Sequence, residues 1–112
     1  MKIYHNPRCS KSRETLKLIQ DAGIEPEIIE YLTNVPSEKE LTEIAVLLGI
    51  APEKLVRKSE DDYKTHFKGK TLSDAEWIKA MVAFPKLIER PIVVKNKKAV
   101  LGRPPENVKA LF

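Results

Sequence analysis

A single cysteine, Cys9, among 112 residues excludes an intrachain disulfide and any zinc or iron–sulfur site built from several cysteines, and it suits a reducing compartment. No run of about 18 apolar residues occurs. The apolar stretch of the amino-terminal MKIYHNPRCSKSR is too short for the core of a signal peptide, so neither export nor a membrane span is expected, and the expected location is cytoplasmic. Aromatic residues are scarce, at 6%, and no basic helix carries interleaved aromatics. With lysines and arginines spread along the whole chain, the net charge of +4 reads as solubility and a weak attraction for small anions, with no nucleic-acid partner. There are only two histidines, His5 and His66, and His66 has no neighbouring ligands, so no metal and no bound cofactor are expected.

What is present suffices for one domain: 42% hydrophobic residues against 32% charged ones give a core that needs no metal or disulfide to stand. A monomer is the expected state. Residues 1–5 and 26–32 read as strands, and between them Leu16, Leu18 and Ile19 sit at helical spacing in a segment from Ser12 to Ala22. Such a strand–helix–strand unit makes its strands parallel and starts its helix at the end of the first strand, where Cys9 lies. Ser37 with Glu40, and Ser73 with Glu76, are capping-box pairs that open two further helices; Gly49 ends the first, and the second runs towards Pro85. Residues 51–57 read as a brief helical turn and 59–70 as a polar loop. Residues 92–95 and 99–101 form a hairpin about Asn96-Lys97-Lys98, and 105–112 a last short helix. This α/β order, β-α-β then β-β-α in a mixed sheet, resembles a thioredoxin-like fold with a helical insertion at about 37–85 inside a single domain spanning 1–112. A three-helix cap on an unrelated α+β sheet is the alternative architecture.

A thiol attacks as its thiolate. The free amides and dipole of a helix start, the cations Arg8, Lys11 and Arg13, and nearby His5 all favour that form at Cys9. The Ser12 hydroxyl, three residues on, is placed to donate to the sulfur, and the same amides can seat the oxygens of an anion. A lone cysteine is more often a small buried hydrophobe, yet Arg8, Ser10, Lys11 and Ser12 are poor company for a core. Because Cys9-Ser10-Lys11-Ser12 has no second cysteine, a disulfide formed at Cys9 has to be resolved by an outside thiol, with glutathione and a glutaredoxin the expected reductants.

The run His5-Asn6-Pro7-Arg8-Cys9-Ser10-Lys11-Ser12-Arg13 resembles the active-site loop of the glutaredoxin-linked arsenate reductases. Tyr31-Leu32, Leu55-Val56-Arg57-Lys58, Glu89-Arg90-Pro91-Ile92-Val93-Val94 and Leu101-Gly102-Arg103-Pro104 follow in that family's order, so the resemblance covers essentially the whole chain. It implies that Cys9 is the nucleophile, that His5 and Ser12 favour its thiolate, and that Arg57, Arg90 and Arg103 clamp the oxyanion. Guanidinium forks suit a tetrahedral anion, since they bind its oxygens in pairs while neutralising charge that would repel a thiolate. It also implies a cis bond before Pro91, attack of Cys9 on arsenic(V) with loss of water, attack by glutathione, and removal of the mixed disulfide by a glutaredoxin as arsenic(III) is released. Two other functions stay open. One is a glutathione-dependent thiol reductase or deglutathionylase; the other is an Spx-type regulator that binds RNA polymerase, although many of those carry the C-x-x-C that is missing here.

Overall fold

In the computed structural model, which describes residues 1–112, the chain divides into two compact units: Met1–Asn34 with Arg90–Phe112, and Val35–Glu89. The first unit is built on strand β1 (Lys2–His5), whose last three residues are buried. Helix α1 (Ser10–Asp21) carries the chain over to β2 (Glu27–Glu30), which pairs parallel with β1, from Lys2 opposite Glu27 to His5 opposite Glu30. Strand β3 (Ile92–Lys95) lies antiparallel on the other side of β1, and β4 (Lys98–Leu101) antiparallel to β3, giving the order β2-β1-β3-β4. The parallel pair needs a crossover and α1 supplies it; the antiparallel pair needs only a tight turn. That turn is shorter than the sequence suggests. Lys98 pairs with Lys95, leaving Asn96 and Lys97 as a two-residue connection with Asn96 in the left-handed region at φ 56°.

The core of this unit joins Ile3 and Val93 from the sheet, Ile19 from α1, and Val108 and Leu111 from a 3₁₀ helix over Pro105–Leu111. The buried face of α1 is Ser12, Thr15 and Ile19, one residue per turn and two of them polar. The helix starts two residues earlier than the Leu16–Ile19 spacing indicates, because Cys9 holds extended dihedrals and serves as its N-cap. Thr15 bridges α1 to the chain beyond β4: its hydroxyl donates to the Lys11 carbonyl at 2.8 Å and lies 3.4 Å from that of Gly102. A methyl group on Gly102 would come within 2.5 Å of Thr15 Oγ1 and 2.7 Å of the Pro91 ring. Gly102→Ala is therefore expected to destabilise the protein by about 1–3 kcal/mol through overpacking. Urea unfolding followed by circular dichroism checks this; an unchanged midpoint would mean that the loop gives way freely.

In the second unit, α2 (Glu38–Leu48) begins at Ser37, whose hydroxyl accepts the Glu40 amide at 3.1 Å, and ends at Gly49 with φ 70°. A 3₁₀ turn, Pro52–Leu55, follows. Helix α4 (Asp74–Ala83) opens on a complete capping box between Ser73 and Glu76, and buries Trp77, Ile78, Ala80 and Met81 against α2, the Pro52–Leu55 turn and a second 3₁₀ turn, Pro85–Leu87. The polar loop expected at 59–70 is instead interrupted by a helix, α3 (Asp61–His66). It buries no residue fully, so apolar periodicity could not reveal it. Aspartates in its first turn and Lys64 and His66 in its last suit the helix dipole, and Tyr63 and Phe67 lay their rings 6.3 and 6.0 Å from that of Trp77. No helix of the protein is long and apolar enough to cross a membrane.

Candidate active site

The turn from β1 into α1 is shaped by its own side chains. Asn6 accepts the Arg8 amide on its side-chain oxygen and the Cys9 amide on its carbonyl, both at 3.0 Å, which folds residues 6–9 into a tight turn. Arg13 reaches back from α1 to donate to the Pro7 carbonyl at 3.0 Å. Cys9 emerges partly exposed at the helix start. No capping hydrogen bond of ordinary geometry reaches its side chain. Burial pushes the thiol's pKa up, but the Ser12 and Lys11 amides and the Arg90 guanidinium, which hydrogen-bonds the sulfur, more than offset this and hold it below its ordinary value.

The cations that act on the sulfur are thus not the ones adjacent in sequence. Arg13 is spent on the loop, the Lys11 ammonium lies 3.9 Å from Glu14, and Lys11 reaches Cys9 through its backbone N–H. Arg90, eighty-one positions along, supplies the charge, since the antiparallel β1–β3 pairing brings the segment before β3 to the end of β1. Ser12 also differs from expectation. Its amide faces the sulfur, while its fully buried hydroxyl accepts the Asn6 amide at 3.0 Å and shares a proton with His5 Nδ1 at 2.7 Å. Position N3 of a helix points its N–H towards the N-cap, which is why the backbone and not the side chain makes the approach. Burial, aided by Arg13, keeps the His5 pKa below its ordinary value despite the opposing pull of Glu30, so the ring is neutral at neutral pH.

Arg90 and Arg103 belong to the same unit as Cys9, and Arg103 Nη1 donates to the Arg90 carbonyl at 3.2 Å. The peptide bond before Pro91 is cis, as the resemblance implies; the bond before Pro104 is cis as well, a second instance without an equivalent expectation. Arg57 belongs to the other unit, half-buried, with Nη1 2.9 Å from Glu89 and Nε 3.7 Å from Glu60. Its backbone is locked there by Arg57 N–H to Leu87 O and Glu89 N–H to Leu55 O, at 2.7 and 2.8 Å. Asn6 organises the loop, a role signalled in the sequence only by the Asn-Pro turn pair, and Glu60 and Glu89, which no local motif marks, are the partners of Arg57. No cluster of three or more His, Cys, Asp or Glu side chains is placed to hold a metal ion.

A thiolate is expected to show itself in its reactivity. Because only the deprotonated sulfur alkylates, the rate with iodoacetamide should rise with pH and reach half its plateau at lower pH than for a free cysteine derivative measured alongside. Coincident profiles would remove the role given to Arg90 and the helix amides.

A mixed four-stranded sheet with a cysteine at the helix start after one central strand, and a cis-proline just ahead of the neighbouring antiparallel strand, marks a thioredoxin-like protein. The ArsC family profile matches residues 4–111, and the chain belongs to that family. It is 48% identical over 108 residues to the arsenate reductase of Haemophilus influenzae, across 95% of this chain and 93% of that one. It is 50% identical over 110 residues to the uncharacterized protein YfgD of Escherichia coli strain K12, across 96% and 92%. The solved structure of the arsenate reductase from Vibrio cholerae superposes with a TM-score of 0.95 at 48% identity, covering 99% of this chain and 96% of that one.

Proposed function

We propose that the protein is an arsenate reductase that draws its electrons from glutathione and a glutaredoxin. The observation that carries this reading is the Arg90 guanidinium on the Cys9 sulfur at the amide-rich start of α1, where nucleophile and anion seat coincide. Arsenate enters with its oxygens on the helix amides and on Arg90, with Arg103 beside it. The Cys9 thiolate bonds to arsenic(V) and one oxygen departs as water. A glutathione thiolate then attacks Cys9 sulfur: the S–S bond forms, the S–As bond breaks, and its electron pair stays on arsenic, which leaves as arsenic(III). A glutaredoxin reduces the mixed disulfide; the single cysteine supports an outside thiol for this step, and the family resemblance supports the glutaredoxin. The part given to Arg57 in oxyanion binding rests on the family resemblance. His5 and Ser12 fix the loop beneath the sulfur.

The names of the relatives support the substrate, and the single thiol supports an external reductant. The test is arsenate-dependent NADPH consumption with purified protein, glutathione, a glutaredoxin and glutathione reductase. Turnover that needs every component is expected. None, from a protein whose Cys9 still alkylates readily, would overturn arsenate as substrate and favour a disulfide substrate on the same sulfur.

A further inference from the structure

Beside the Cys9 loop, within the same unit, lies a cavity of about 330 Å³. One wall is residues 5–8, immediately ahead of Cys9; the other is Glu30, Leu32 and Thr33 at the end of β2. The volume falls at the lower end of the range for small-ligand clefts. Its charges are of opposite sign: Arg8 on the loop and Glu30 across from it, both exposed, with no ion pair between them and no side-chain hydrogen bond to hold either. Pro7 and Leu32 give it apolar surface as well. Glu30 also acts on His5 by charge, but no hydrogen bond or ion pair ties either side chain, and a carboxylate and a guanidinium set across a cavity are complementary to a molecule bearing both an ammonium and a carboxylate.

We propose that this cavity seats the attacking thiol, a small zwitterionic peptide thiol of the glutathione kind, with Glu30 pairing with its ammonium and Arg8 with a carboxylate. This rests on the reading of Cys9 as a nucleophile resolved from outside. The cavity wall extends to Arg8, the residue before Cys9, and an extended tripeptide of about 10 Å carries its thiol midway between its charged ends. The seat converts a collision between two thiols into an oriented displacement at Cys9 sulfur. It also selects the thiol, because an uncharged one gains nothing from either side chain.

The experiment needs no arsenate. With one cysteine in the chain, Ellman's reagent loads Cys9 alone as its thionitrobenzoate mixed disulfide, and an added thiol displaces the coloured thiolate. Glutathione is expected to give rates that saturate, with 2-mercaptoethanol rising linearly. Glu30→Gln and Arg8→Ala should each raise the glutathione half-saturation about fivefold, the loss of one semi-exposed charge pair, and leave the 2-mercaptoethanol rate unchanged. S-methylglutathione, which cannot react, should compete in the parent protein and less well in Glu30→Gln. Linear rates with both thiols, or variants that slow both equally, would overturn the seat. Saturation without arsenate turnover in the coupled assay would keep the seat and remove the substrate; turnover without saturation would do the opposite.

Discussion

Cys9→Ser is expected to lower arsenate-dependent turnover by on the order of 10³-fold or more, in line with the loss of other enzyme nucleophiles. The replacement is nearly isosteric, so the drop isolates chemistry. A serine hydroxyl stays protonated at neutral pH, and the groups that stabilise the Cys9 thiolate cannot bring it to a comparable anion. The fold has no reason to suffer, because Cys9 is the N-cap of α1, a position serine favours. The expected result is therefore a split: activity gone in the coupled assay, and a urea midpoint at or slightly above the parent value. Retained activity would remove Cys9 from the mechanism, and a lost fold would make the activity reading meaningless.

Arg90→Lys should cost about 10²-fold in kcat/KM although the charge is unchanged. An ammonium is a point donor with no fork, and a single preorganised donor to developing anionic charge is worth roughly that much. The same variant should move the pH profile of Cys9 alkylation upward, since Arg90 acts on the sulfur both by hydrogen bond and by charge. Arg90→Met should move it further. A residue that only braced the loop would reduce kcat/KM and leave the alkylation profile where it was. The two readouts together assign Arg90 to the reacting atoms or take it away from them.

Much of the scaffold was legible because it was written in local signals. The capping serines at 37 and 73 mark α2 and α4 correctly, and the parallel β1–β2 pair follows from a crossover helix between two short strands. Cys9 at the start of α1 follows from the same unit. What stayed hidden depends on long-range pairing or on surfaces without periodicity. α3 is too short and too polar to announce itself, and the rings of Tyr63 and Phe67 against Trp77 anchor a stretch that its terminal charges favour as helix. Sequence neighbours suggested that Arg8, Lys11 and Arg13 lower the Cys9 pKa, yet the side chain that does so, Arg90, arrives with the segment entering β3. Proximity in sequence points the Ser12 hydroxyl at the sulfur; in the fold it is buried and bonds His5 and the Asn6 amide.

The turn that presents Cys9 brings its own fastenings. The amides of Asn6, Arg8, Cys9 and Arg13 all have intramolecular acceptors, two of them supplied by the side chains of Ser12 and Asn6. A surface loop of this polarity would otherwise sample many shapes, and fixing one backbone residue costs about 1–2 kcal/mol of conformational entropy. Here that cost falls on folding and is met by the same cooperative transition that forms the core. An arriving anion then finds its donors already aimed and forfeits little of its binding free energy to ordering them. The amide protons of residues 6, 8 and 9 should accordingly exchange with solvent slowly in the ligand-free protein, and change little when the site fills.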